Sequence, residues 1–172
     1  VYTGYLGSCD DVEYVIDIAD SLLETNSLLI VDPAMADNGK LYTGFDTDYV
    51  NAMKKLCEKA DVILPNITES CILLDTSCPD TVTDDCVNKI AVELRKRFDT
   101  DVVITDVSFN ASETGVYVCT DTLKFYYNHK RIERNYHGTG DVFASAFVGS
   151  LMCGKTITDA SEIAADYVLK CI

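Results

Sequence analysis

Leu28-Leu29-Ile30-Val31-Asp32-Pro33 decides how this chain folds. Four consecutive large apolar residues with no polar alternation read as a strand buried on both faces. Asp32-Pro33 stops it, because proline has no N–H to give to a strand ladder. Such strands belong to parallel sheets covered by helices, and helical patterns flank this one on both sides. Upstream, Ser8 is placed to cap a stripe through Val12, Val15, Ile16, Ala19, Leu22 and Leu23, with Asp10 and Asp11 in its first turn. Downstream, residues 46–60 carry a second stripe through Tyr49, Met53, Leu56 and Cys57.

The alternation continues outward. Val1-Tyr2-Thr3 is a short strand ending at Gly4, and Val62-Ile63-Leu64 is another, ending at Pro65-Asn66. A short helix is predicted over 69–74, loop over 78–85 and a clear helix over 84–98 through Val87, Ile90, Ala91 and Leu94. Val102-Val103-Ile104-Thr105 is the next buried strand. After it the pattern changes. Residues 115–119 and 124–128 are shorter and more polar, with turn residues between them, which predicts an antiparallel hairpin. A last helix is predicted over 158–171. The expectation is a single α/β domain over 1–172, with a largely parallel central sheet and helices on both faces. Neither a repeat nor a low-complexity linker interrupts it.

Composition narrows the classes. Of 172 residues, 48% are hydrophobic and 24% charged, an ordinary globular balance. The net charge of −14 disfavours nucleic acid and anionic membranes as partners, since both reward clustered Lys and Arg. Eight cysteines form no C-x-x-C pair and several fall in apolar helical patterns, so free thiols in a reducing, cytoplasmic compartment are expected. No run approaches the ~18 apolar residues that span a bilayer.

In parallel sheets, ligands sit beyond the carboxyl ends of the strands. Here Gly4-Tyr5, Asp32, Asn66 with Glu69, and Thr105-Asp106 all follow strands, and all can hold a ligand. A further candidate lies at Gly138-Thr139-Gly140-Asp141, which runs into the helical Val142-Phe143-Ala144-Ser145-Ala146-Phe147-Val148. Two glycines leave the backbone N–H groups open, and the helix start offers free amides and the positive end of its dipole to an anion. A carboxylate at that spot could take a proton from a hydroxyl attacking a bound phosphoryl group. The simpler reading is that the glycines shape a turn and Asp141 favours the helix start. Asn66 and Glu69, three apart, would face one way on a helical turn and suit Mg²⁺, or would form a capping pair. Asp37-Asn38-Gly39 is a turn signal. Lys40, Lys130, Arg131 and Arg134 are candidates for phosphate contact, and His137 for a base, with His129 behind it. Phosphate-loop, nucleophile-elbow and H-E-x-x-H motifs are all absent.

Together, Gly4-Tyr5-Leu6-Gly7-Ser8, the stretch from Asp32-Pro33-Ala34-Met35 to Gly39-Lys40-Leu41-Tyr42, Ala60-Asp61-Val62-Ile63-Leu64-Pro65-Asn66 with Glu69, and His137-Gly138-Thr139-Gly140-Asp141 occur in the order seen in pyridoxal kinases of the ribokinase-like superfamily. The resemblance spans essentially the whole chain. It implies a ribokinase-like fold and ATP-dependent phosphorylation of the hydroxymethyl group of pyridoxal, pyridoxine or pyridoxamine. By matching motif positions it implies Asp141 as general base and the backbone of Gly138, Thr139 and Gly140 as an anion hole. Asp32, Asn66 and Glu69 would serve the Mg²⁺–phosphate region, with Thr105, Thr139 and Phe143 along the nucleotide and Tyr5 against the pyridine ring. Relatives often use a monovalent cation such as K⁺ near the anion hole, and homodimers are usual.

Three departures stand out. Relatives are considerably longer, so this chain is expected to be the C-terminal part of the domain, without the portion that supplies much of the vitamin-binding surface. Leu64 stands where many relatives have threonine, and Ala36 where glycine is usual. Two alternatives stay open. One is a hydroxymethylpyrimidine kinase, since that substrate is also a small heteroaromatic alcohol. The other is a non-catalytic ATP-binding relative, against which the intact Asp141 argues.

Overall fold

A computed structural model describes residues 1–24, 26–132, 136 and 138–172. Six strands make one sheet: β1 (Tyr2–Thr3), β2 (Ile30–Val31), β5 (Val62–Ile63), β6 (Asp101–Asn110), β7 (Glu113–Cys119) and β8 (Lys124–Lys130), in that spatial order. The first four are parallel, with Tyr2 opposite Ile30, Ile30 opposite Val62 and Val62 opposite Asp101. β7 and β8 then add antiparallel, as the changed pattern predicts. A separate two-stranded hairpin, β3 (Ala36–Asp37) and β4 (Lys40–Leu41), turns through Asn38 and Gly39, both at positive φ.

Strand pleating sends alternate residues to opposite faces. Leu29, Val31, Ile63, Val102 and Ile104 pack with α1 (Cys9–Leu22), α2 (Thr47–Cys57), α3 (Ile67–Leu73) and α4 (Asp84–Phe98). Ile30, Val62, Leu64 and Val103 point the other way, onto α5 (Thr139–Met152) and α6 (Ile157–Cys171). Each strand is therefore apolar on both faces, which is why Leu28-Leu29-Ile30-Val31 shows no alternation. The architecture is the expected α/β fold with helices on both sides of a mostly parallel sheet.

The helix starts follow capping chemistry. Ser8, Asp46, Thr83 and Thr156 each accept a backbone N–H from the first turn they precede. α3 begins two residues earlier than the predicted 69–74 because Asn66 caps it. The larger difference is β6, which runs to Asn110 rather than stopping at Thr105. Asp106 is left-handed there, at φ 54°, with Thr114 Oγ1 donating to its carboxylate at 2.9 Å, and the ladder to β7 resumes beyond this irregularity. The antiparallel partner carries the strand past a residue that reads as a terminator.

Candidate active site

The carboxyl ends of β1, β2, β5 and β6 open into a cavity of about 330 Å³. Tyr5, Asp32, Asn66, Glu69 and Thr105 reach it from the sheet, and Gly138, Gly140, Asp141 and Phe143 close it from the start of α5. Of the residues that the resemblance assigns to the site, Thr139 is the one that does not line it. Its hydroxyl turns back toward Tyr136 O, at 3.5 Å.

Gly138 caps α5 with φ 84°, a conformation that L side chains resist. Val142 N, bonded to Gly138 O at 3.1 Å, is the first amide of the helix with a partner of this kind among the described residues, and those of Thr139, Gly140 and Asp141 precede the helical ladder. Asp141 follows directly, exposed, one turn into the cavity wall.

Asn66 and Glu69 resolve the capping question. Asn66 Oδ1 accepts from Glu69 N at 2.9 Å, and Glu69 Oε2 accepts from Asn66 N at 2.9 Å, a reciprocal capping box. Their remaining atoms hold the hairpin: Glu69 Oε1 accepts from Met35 N at 3.0 Å and Ala36 N at 3.3 Å, and Asn66 Nδ2 donates to Ala36 O at 2.8 Å. Glu69 is 3% exposed. Its oxygens and both ends of the Asn66 amide are thus engaged inside the protein, as the capping pair of the two readings requires. Among the described residues, no group of three or more His, Cys, Asp or Glu lies close enough to hold an ion by itself. Ala36 takes no positive φ, so its replacement of glycine adds no strain.

Among the described residues, no backbone donor reaches the Asp32 carboxylate. It receives the Tyr2 hydroxyl at 3.4 Å, and burial followed by the neighbouring Asp141 pushes its pKa up to about 7. Burial and Asp32 push Glu69 up to about 8, against its three backbone donors. Gly4 passes between these groups: a Cβ there would stand 2.9 Å from the Tyr2 hydroxyl and 3.8 Å from Asp141 Oδ1. The cavity therefore gathers three carboxylates, and no Lys, Arg or His lines it among the described residues. Lys40, Lys130 and Arg131 are exposed and outside it, while Arg134 and His137 lie outside the described residues.

An aromatic wall bounds the other side. Tyr5, 60% exposed, stacks on Phe45 at 5.5 Å between centroids, and Phe45 stacks on Tyr49 at 3.8 Å. Tyr49 is tied by its hydroxyl to Leu6 O at 2.7 Å. Tyr42 and Leu64 also line the cavity. Tyr42 and Tyr2 are contributors to which the sequence assigned no role. An aromatic three residues beyond the glycine of the turn was the available signal for Tyr42; Tyr2 reads simply as strand. Phe143 is mostly core, stacked on Phe147 at 6.1 Å.

This fold and site define a member of the ribokinase-like α/β class. Residues 1–172 match the phosphomethylpyrimidine kinase family, and the chain belongs to it. A provisionally named phosphomethylpyrimidine kinase from Bacteroides thetaiotaomicron, crystallised with pyridoxal, is 36% identical with a TM-score of 0.90, covering 98% of this chain and 60% of that one. Pyridoxal kinase from Leishmania donovani, solved with ADP and pyridoxamine, is 25% identical with a TM-score of 0.85, covering 99% and 59%. The chloroplastic thiamine biosynthetic bifunctional enzyme TH1 of Arabidopsis thaliana is 30% identical over 98% of this chain and 32% of its own length. The chain spans about three-fifths of these solved relatives and no more than 47% of the curated ones it matches.

Proposed function

We propose that this chain carries the phosphoryl-transfer site of an ATP-dependent kinase that phosphorylates the hydroxymethyl group of pyridoxal, pyridoxine or pyridoxamine. The observation that carries this reading is Asp141 at the open start of α5, in the same cavity as Asp32 and Tyr5. In this reading Asp141 accepts the proton of the substrate hydroxyl as its oxygen attacks the γ-phosphorus. The amides of Thr139, Gly140 and Asp141 face the phosphoryl oxygens, whose charge they stabilise without rearrangement. Phosphoryl transfer needs positioning and charge neutralisation above all.

Mg²⁺, which keeps several waters and takes few protein oxygens, would supply charge neutralisation between the phosphates. The donor set fits an ion that arrives with its nucleotide: among the described residues no backbone donor reaches the Asp32 carboxylate, which would face such an ion, while Asn66 and Glu69 would serve it through water. Thr105 and Phe143 flank the nucleotide, and Tyr5, backed by Phe45, offers its ring face to the pyridine. Support for B6 vitamers comes from the relatives bound to pyridoxal and pyridoxamine, and for ATP from the relative bound to ADP. The family match and the Arabidopsis thiamine enzyme favour hydroxymethylpyrimidine as the second reading.

The test is the intact protein with Mg-ATP and a pool of pyridoxal, pyridoxine, pyridoxamine and hydroxymethylpyrimidine, with products read by mass. A phosphorylated B6 vitamer is expected; phosphorylated pyrimidine alone would select the second reading. In Asp141→Asn, turnover should fall about a hundredfold or more with ADP affinity within a few-fold. Near-normal turnover would remove Asp141 from the chemistry.

A further inference from the structure

Tyr5 and Tyr42 line the cavity, and one side chain behind the lining meets both. Phe45 lies 5.5 Å from the Tyr5 ring, centroid to centroid, with 30° between the planes, and 6.4 Å from Tyr42, tilted by 42°. It also lies on Tyr49, at 3.8 Å and 5°. The backbone fixes where Phe45 stands. Gly44, at φ 97°, turns the chain after β4, and Phe45 N donates to Tyr42 O at 3.1 Å. Asp46 follows at once as the cap of α2, its carboxylate accepting from Asp48 N at 3.0 Å and Tyr49 N at 3.1 Å. Apolar contact between the residue before a cap and the turn after it fixes how a chain enters a helix, and here that contact is ring on ring. Tyr49 is 2% exposed, and its hydroxyl donates to Leu6 O at 2.7 Å, one residue past Tyr5. The contacts close a circuit: Tyr5 rests on Phe45, Phe45 on Tyr49, and Tyr49 holds the neighbour of Tyr5.

We infer that Phe45 is a positioning residue for the substrate ring: backed by Tyr49, it holds the Tyr5 ring in the plane on which a flat heteroaromatic alcohol stacks. This role rests on Tyr5 being the contact of the substrate ring, as proposed above. Without such support, a side chain 60% exposed on the loop between β1 and α1 exchanges rotamers readily. Stacked aromatic pairs are favoured beyond the area they bury, so the Phe45 face selects one placement of Tyr5 before any ligand arrives. Ordering the contact in advance removes an ordering cost from binding. The gain therefore belongs to the affinity for the ring and not to that for the nucleotide, which Thr105 and Phe143 would flank.

The test is calorimetric titration of the intact protein with pyridoxal and, separately, with ADP, in wild type, Tyr5→Leu, Phe45→Leu and the double variant. Phe45→Leu keeps an apolar side chain and removes the ring, so pyridoxal affinity should fall about three- to tenfold while ADP affinity stays as in wild type. Phe45→Tyr restores a ring and should recover the loss. In the Tyr5→Leu background the Phe45→Leu step should add less than about twofold, since Phe45 then has no ring to position. An unchanged pyridoxal affinity in Phe45→Leu, an equal loss for ADP, or the same loss with and without Tyr5 would each overturn the assignment. Should Phe45→Leu fail to fold, Tyr49→Phe decides. It keeps every ring and loses only the tie to Leu6 O, so pyridoxal should bind about two- to fivefold more weakly with ADP unaffected, and an unchanged affinity would overturn the role. A wild type that takes hydroxymethylpyrimidine instead is titrated with that ring in the same variants. Tyr5→Leu binding the ring as wild type does would remove Tyr5 from the ring site, a failure of the proposed function's own contact and separate from the failure of Phe45 to support it.

Discussion

Asp32 and Glu69 bind their protons more tightly in the folded chain than in the unfolded one, because burial raises both pKa values, with the charge of Asp141 adding at Asp32 and that of Asp32 adding at Glu69. The stability linked to them is therefore complete below the ordinary carboxylate range and is lost as pH rises through about 7 to 8. Asp32→Asn removes that loss. We expect it to stabilise the ligand-free protein by on the order of 1–2 kcal/mol more at pH 8 than at pH 5, allowing for solvent screening at a half-buried site. Thermal melts at the two pH values check this, and an equal shift at both would refute it. The two glycines of the helix start separate in the same way. Gly138 has φ 84°, so Gly138→Ala should cost about 1–2 kcal/mol in urea unfolding. Gly140 has open space and no positive φ, so Gly140→Ala should be neutral or stabilising by up to about 1 kcal/mol. From sequence alone the two glycines look equivalent, since the backbone angle that distinguishes them is set by how the chain enters α5.

α3 shows how a short element can organise a site. Seven residues make a poor helix on their own, and this one starts because Asn66 and Glu69 cap each other and clamp the β3 hairpin. Asn66→Ala removes the cap and strands Ala36 O, so we expect a loss of about 1–2 kcal/mol. Asn66→Asp keeps the cap oxygen and should fall between it and wild type, as denaturant midpoints would show; a ranking in which Asp is the worse would count against the cap. The spacing of Asn66 and Glu69 was legible in the sequence, and both of its meanings with it. That the cap forms, and that Glu69 also serves the hairpin, needed Met35 and Ala36, thirty-odd residues away in the chain, whose amides take up Glu69 Oε1. β6 teaches the same lesson. Asp106 looks like the end of a strand, but β7 supplies a ladder that carries the strand on to Asn110.

Across the whole molecule, a net charge of −14 sits on a fold whose cavity brings three of its carboxylates together. Self-repulsion should destabilise the compact state at low ionic strength. Raising salt from about 10 mM to about 150 mM shortens the screening length to about 8 Å and should raise the melting temperature. Monovalent salt tests the overall field; a further rise with Mg²⁺ at matched ionic strength would report on the cavity. A melting temperature independent of salt would mean that the charges are already well separated or paired.

What the sequence determined by itself was the order of elements, their caps and the two-faced apolar strands, because periodicity and capping are local properties of the chain. It also put candidate residues at the strand ends and the glycine turn, several of which the fold brings around one cavity, since ligands of parallel sheets sit beyond the carboxyl ends of the strands. Tertiary structure alone decided which polar atoms remain free. It turned Glu69 and Asn66 inward to the hairpin, set Asp32 against Asp141 and Tyr2, and laid Phe143 into the core. Those outcomes depend on groups far apart in the chain competing for the same hydrogen bonds and the same buried volume, and spacing along a sequence carries no record of that competition.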